Sequence, residues 1–273
     1  MRSVSDGLRG MVSKENLIAN SKTIIITAVS LTVFVIGWFA LSMFLNLPYV
    51  PPPDKVFNAF VNSFVHKDIG LGTNMWDNIL ASLQRVAIGF GLAFVVALPV
   101  GLIMGFFKLW YGFINPVVEV FRPIPPIAWV PTFLLVFSIY WGPVMVVFLG
   151  ILFPLLSNII LGVRSVDKPL IDAAKTMGAK RIHLFTKVVL PYIIPFMMAG
   201  ITIGLGIGWM CIVAAEIIGA VGGGVGFYIW YMQGLSKYDY EFAGMVVIAL
   251  LGLFTVGVSR IIEKRLNRRM GIK

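Results

Sequence analysis

Charge is the scarcest property of this chain. Asp, Glu, Lys and Arg make up 12% of its 273 residues, against roughly 25% in a soluble domain. With 59% of residues hydrophobic, too little polar surface remains to cover a water-soluble fold. Cysteine occurs once, at Cys211, so no internal disulfide can form, and its apolar neighbours mark it as a packed, inert thiol. The two histidines, His66 and His183, stand apart, so no metal site is predicted. No Gly-Lys-Ser or Gly-Lys-Thr occurs, so the chain builds no P-loop. The cluster Gly222-Gly223-Gly224-Val225-Gly226 lacks the Lys and Ser/Thr that would hold phosphate and magnesium. It reads instead as a flexible turn before an outer re-entrant segment, GFYIWYM. No nucleophile stands with a base, which argues against an intramembrane enzyme.

What is abundant is uncharged apolar sequence. Residues 24–47 carry no charge at all. At about 1.5 Å per helical residue such a run crosses a hydrocarbon core of roughly 30 Å. It begins too far in and is too long for a secretory signal, so it is expected to be a retained span. Five further spans are predicted, at residues 79–107, 113–137, 144–163, 192–218 and 242–262. The third is the least regular, because it holds Pro116, Pro123, Pro125, Pro126 and Pro131. Proline removes a backbone donor, and such backbone survives at membrane depth only beside protein or a watery cavity. The stretch is therefore either a kinked packing helix or the wall of a transport path.

The net charge of +10 does not point to nucleic acid, because it is distributed by topology. Only Lys55, Lys67 and Lys237 fall on the predicted outer segments, and Arg85 and Arg122 fall within spans. The remaining basic residues lie in the N-terminal segment, at Lys108, in the loop after the fourth span and at the C-terminal end. That bias places both termini in the cytoplasm. The outer segment begins PYVPPPDK, an extended path, and continues with Phe57, Phe60, Val61 and Phe64 at helical spacing. Leu8, Met11, Val12, Leu17 and Ile18 suggest an interfacial helix on the inner side. Gly101 and Gly105 form a GxxxG pair, and Gly200, Gly204, Gly206 and Gly208 form a longer small-residue face of the kind that lets helices approach closely.

Charges inside spans cost at least about 2.5 kcal/mol each at the bilayer centre. Glu119 and Arg122 are three apart and would pair on one helix face; alternatively Arg122 makes a path attractive to anions. Glu216 is predicted to pair with Arg85 or with another chain, while Arg85 has the alternative of reaching the interface. Arg122, Pro123, Pro126, Trp129 and Glu216 are the candidate path residues.

The inner loop after the fourth span, about residues 164–191, reads RSVDKPLIDAAKTMGAKRIHLFTKVVLP. It is too polar to span and too apolar to be a loose loop. Leu170, Ala173, Ala174, Met177 and Gly178 follow helical spacing and leave a shallow face. The bland alternative is a surface helix lying on headgroups.

Asp172-Ala173-Ala174, Gly178 and Val188-Val189-Leu190-Pro191 resemble the EAA signature of ABC importer permeases: Glu-Ala-Ala, three residues, Gly, nine residues, Ile, one residue, Leu-Pro. Asp172 stands for Glu and Val188 for Ile, with the spacing intact. LASLQRVAIGFGLA from Leu80, RPIPPIAWVP from Arg122 and GWMCIVAAEIIGA from Gly208 are similar to the nitrate, sulfonate, taurine and bicarbonate branch. The resemblance covers about the last 200 residues.

It implies an all-α membrane protein of the type I importer fold, with six transmembrane helices, in a bacterial inner membrane. Residues 1–23 would be a cytoplasmic segment and 24–273 the permease domain. Two permease copies would line one path. Two ABC ATPase subunits, which bind the ATP and magnesium, would dock on Asp172, Ala173, Ala174, Gly178, Leu190 and Pro191. A solute-binding protein outside would deliver a small oxyanion. No cofactor is expected in the chain itself, no nucleic acid as partner, and lipid as its surroundings. The rival is a self-contained secondary transporter or channel, for which internal repeats would be expected; none is visible.

Overall fold

The computed structural model describes residues 2–67, 72–219 and 223–269, and no strand occurs among them. Contacts divide the chain into two compact units, residues 1–59 and 60–273. In the first unit, α1 runs unbroken over Arg2–Leu45. The predicted N-terminal interfacial helix is therefore not a separate element; no proline interrupts the chain before Pro48. Asn46 ends the helix in the left-handed region, at φ 45°. The second helix, α2 (Pro53–Val65), begins on a proline whose missing donor costs nothing there, with Asp54 in its first turn.

The second unit is built on α3 (Met75–Phe106), α5 (Val130–Arg164), α8 (Leu190–Gly219) and α10 (Tyr238–Arg269). Glycines set how they pack. On α3, Gly89 faces Val144 and Val147, Gly101 faces Ile159, and Gly105 faces Val163 of α5. The numbers rise together, so α3 and α5 run parallel. On α8, Gly200 meets Leu155, Gly204 meets Ile151, and Gly208 meets Ile151 and Val147, so α8 runs antiparallel to α5. Thr202 bonds Ser259 at 2.9 Å, and Trp209 Nε1 donates to Thr255 Oγ1 at 2.8 Å, which sets α10 antiparallel to α8.

One end of this unit therefore carries the ends of α3, α5 and α10 and the start of α8. The opposite end carries the starts of α3 and α10, the end of α8, and the short helix α9 (Val225–Gly234). Met75, Tyr228, Ile229 and Val247 pack with Phe60 and Phe64 at that second end.

Two consecutive parallel helices need a return path between them. The predicted third span, 113–137, is not one helix. It is α4 (Lys108–Phe121), a break at residues 122–125, a 3₁₀ turn over Pro126–Trp129, and the first residues of α5. The prolines supply the reason, removing donors and forcing Pro125 into extended backbone at φ −57°, ψ 132°. At 14 residues α4 is about 21 Å long.

α5 then breaks at Ser138, which takes φ 73° and ψ 171°. Beyond the break, Gly142 lies against the backbone of Leu134. In a straight helix residues eight apart are about 12 Å apart along the axis, so the chain folds back at Ser138. Among the described residues, five helical segments are long and apolar enough to cross a membrane: Thr23–Leu45, Met75–Phe106, Pro126–Arg164, Ile182–Gly219 and Tyr238–Arg268. The third of these contains the reversal.

Candidate functional site: an exposed short helix, a broken aromatic segment and a buried latch

After Arg164 the chain leaves the bundle and forms α6 (Lys168–Thr176), with Asp167 at the N-cap position but making no side-chain cap bond, and Pro169 in the first turn. Asp172 sits mid-helix rather than at its start. It is exposed and pairs with Lys175 at 3.3 Å, one turn on. Ala173 is exposed and Ala174 half-buried, between the exposed Leu170 and Met177.

The helix ends in a Schellman turn. The Gly178 amide donates to the Lys175 carbonyl at 2.9 Å, and the Ala179 amide donates to the Ala174 carbonyl at 3.1 Å. Gly178 holds φ +80°, and nothing would obstruct a Cβ there. Glycine is thus required by backbone conformation, not by crowding. The chain then re-enters the bundle through α7 (Arg181–Leu184) and a π turn over Phe185–Val189 that continues directly into α8. Pro191 therefore does not begin a free helix. It follows the wide turn, in which the Leu190 amide reaches back to Phe185. The π turn relieves the contact that a proline ring makes with the carbonyl four residues earlier. Leu190 is half-buried.

At the break after α4, Arg122 and Pro123 are exposed and Pro126 is half-buried. The expected Glu119–Arg122 pair is absent: although Arg122 keeps helical backbone, both side chains are exposed and do not bond. Trp129 is half-buried and stacks between Phe121 (6.0 Å) and Phe133 (5.7 Å), and Phe133 meets Phe137 edge-on. Its indole Nε1 is buried with no hydrogen-bond partner.

Glu216 lies elsewhere, with no exposed surface, and is not part of this stretch. Its carboxylate accepts from Arg85 Nη1 at 2.7 Å, from Ser82 Oγ at 2.9 Å and from the Gly226 amide at 3.0 Å. Arg85 is 3% exposed. The pairing expected of these two is the one the structure makes; Arg85 does not reach outward. Arg85 also donates to the Gly223 carbonyl at 2.6 Å. Two residues the sequence did not single out complete the set. Asn78 Oδ1 accepts from the Gly224 amide at 3.0 Å, and Ser82 Oγ accepts from the Val225 amide at 2.9 Å. Asn78, Ser82 and Arg85 are spaced four and three apart, a polar stripe on one face of an apolar helix; that spacing was the available signal.

The glycine segment is therefore tied down at Gly223, Gly224 and Gly226 rather than flexible, while Gly222 lies outside the described residues. Gly223 and Gly224 take φ +81° and +126°, and a Cβ on Gly224 would strike the Glu216 carboxylate. The end of α8, the start of α3 and the start of α9 are bonded into one latch. Among the described residues no cluster of His, Cys, Asp or Glu is placed to hold a metal ion.

Residues 97–272 match the family described as binding-protein-dependent transport system inner membrane component. The chain belongs to this family. It is a multi-pass inner-membrane permease component of an ABC transporter, a non-catalytic subunit. The permease is 31% identical over 242 residues to the taurine transport system permease protein of Escherichia coli, covering 88% of this chain and 86% of that one. It is 31% identical over 267 residues to the nitrate import permease protein of Synechocystis, covering 94% and 93%. Its fold resembles that of a methionine ABC transporter solved in inward-facing conformations, with a TM-score of 0.60 at 18% identity, over 70% of this chain and 97% of that one. Permeases of this family work with ATPase and binding-protein partners, and the use of ATP and magnesium belongs to those ATPases.

Proposed function

We propose that this permease imports a small oxyanion (nitrate, bicarbonate or an alkyl sulfonate) handed over by an extracytoplasmic solute-binding protein. Two permease copies line the path, and two ATPase subunits dock on α6. ATP binding biases the pair between inward-open and outward-open states. The chain crosses the membrane six times with both termini in the cytoplasm. The return segment from α4 to the Ser138 reversal supplies one crossing, and the basic loop and C-terminal end lie inside.

The observation that carries the proposal is α6 itself. It is a short exposed helix with Ala173 and Ala174 on its surface, closed by a glycine turn, at the end of the bundle where α3, α5 and α10 also end. Such a helix enters a groove on a partner, and the continuous helical segment behind it passes motion to α8. The oxyanion class is supported by the names of the taurine and nitrate relatives. The exposed Arg122 and the unpaired indole N–H of Trp129 suit an anion on the path.

The test is ATPase pull-down and solute uptake for Gly178→Asp and Ala174→Asp. Both variants are expected to insert normally, because α6 lies outside the spans, and to lose ATPase docking or uncouple hydrolysis from uptake. Normal docking with normal uptake in both would contradict the assignment of α6.

A further inference from the structure

The junction of α3 and α4 holds an arrangement that transport itself does not require. α3 ends at Phe106 and α4 starts at Lys108. Beside this junction Arg164 closes α5. Its guanidinium lies 3.4 Å from the centre of the Tyr111 ring, and its Nη2 donates to the Met104 carbonyl at 3.4 Å. Lys108, Arg164, Tyr111 and Gly105 line a cavity of about 500 Å³. Among the described residues neither cation forms an ion pair with an acidic side chain.

Phe106 forms part of this cavity and also of a second one beside it, a groove of about 690 Å³. That groove is apolar. Leu102, Ile103 and Phe107 line one side, and Ile171, Leu184 and Phe185 from the docking segment line the other. Two cations lining one cavity at the end of the spans, with an apolar groove beside it that shares Phe106, match one kind of molecule: an anionic head joined to a hydrocarbon chain.

We propose that this junction is a binding site for an anionic phospholipid. The phosphate lies between Lys108 and Arg164, and one acyl chain fills the groove between α3 and the docking segment. Tyr111 holds the Arg164 guanidinium flat and leaves most of its five donors for the phosphate. Basic pockets between spans on the cytoplasmic side suit such headgroups. That this end faces the cytoplasm rests on the proposed function. A small free anion would need only the two cations and would ignore the groove. A lipid needs both and would touch α3 and the α6–α8 segment at once, making ATPase coupling sensitive to lipid charge.

The experiment is native mass spectrometry of the assembled complex after exchange into vesicles of phosphatidylcholine with or without phosphatidylglycerol. Wild type is expected to retain phosphatidylglycerol selectively. Each basic group near an anionic surface is worth roughly fivefold, so Lys108→Gln should lower retention roughly fivefold, and Lys108→Gln with Arg164→Gln roughly thirtyfold. Among the described residues Lys108 has no side-chain bonding partner, so the single variant is informative even if loss of the Arg164–Met104 contact disturbs the double one. Ile103→Trp, which fills the groove, should also reduce retention.

Equal retention of both lipids, or retention untouched by Lys108→Gln, would overturn the site. Displacement by inorganic phosphate together with indifference to Ile103→Trp would make it a free-anion site and overturn the lipid. Pull-down of the ATPase, scored on the same samples, separates the two proposals. Lost docking in wild type counts against the importer assignment, whereas unselective lipid retention with intact docking counts against the lipid site alone.

Discussion

The carboxylate of Glu216 touches three parts of the chain that are far apart in sequence: Ser82 and Arg85 on α3, and the Gly226 amide at the start of α9. Removing it leaves the Arg85 charge buried without its counter-ion, which costs about 3–5 kcal/mol. Glu216→Ala should therefore lower the thermal unfolding midpoint of the detergent-purified permease sharply. Ser82→Ala removes one hydrogen bond to that carboxylate and the acceptor of the Val225 amide; with no charge left unpaired it should cost less, about 1–3 kcal/mol. If the two variants unfold at the same temperature as wild type, the latch does not hold the fold. Arg85 and Glu216 were legible in sequence because a charge inside a span demands an explanation. Asn78 and Ser82 were not, because small polar side chains are common in membrane helices. Only the amides that they meet show their use, and those lie about 145 residues away.

At the scale of elements, α3 and α8 were readable as spans, but the purpose of their glycines was not. The sequence offered Gly101, Gly105 and the Gly200–Gly208 face only as places where helices approach closely, without saying which helices. The structure spends Gly101, Gly105, Gly200, Gly204 and Gly208 on packing against α5 within one chain, so they give no support to a dimer. A Cβ on Gly101 would lie 2.7 Å from Ile159 Cγ2, whereas one on Gly206 would meet nothing within 4 Å. Gly101→Leu should therefore destabilise by about 1–3 kcal/mol through overpacking. Gly206→Ala should be neutral or gain up to about 1 kcal/mol, since glycine is a poor helix former. Thermal midpoints of the two variants check this, and the opposite order would mean that the α3–α5 contact is misplaced. The proline-rich segment was legible as a break but not as a hairpin. The reversal depends on Ser138, and a serine in a helical run carries no warning that it will take a positive φ.

For the whole molecule, the outstanding question is how many copies make a transporter. One proposed docking helix per chain, α6, and the exposed position of Arg122 both suit two copies around a shared path. Mass measurement of the intact complex in detergent should show two permease subunits, and a stable, active complex with one would refute it. The general architecture was readable from apolar runs and basic blocks, because both are set by the bilayer. The contacts between helices were not, since in lipid these depend on shape rather than on polarity.

The latch also limits how the permease can move. With the far ends of α3, α8 and α9 bonded to one another, no single one of them can swing as a flap, and in the proposed cycle α8 acts as a lever. Its 30 residues make a rod of about 45 Å, so a tilt of about 10° around its middle carries each tip about 4 Å. Under the proposed docking, a small rotation imposed at α6 therefore arrives at the opposite end as a displacement comparable to the diameter of a bare small anion.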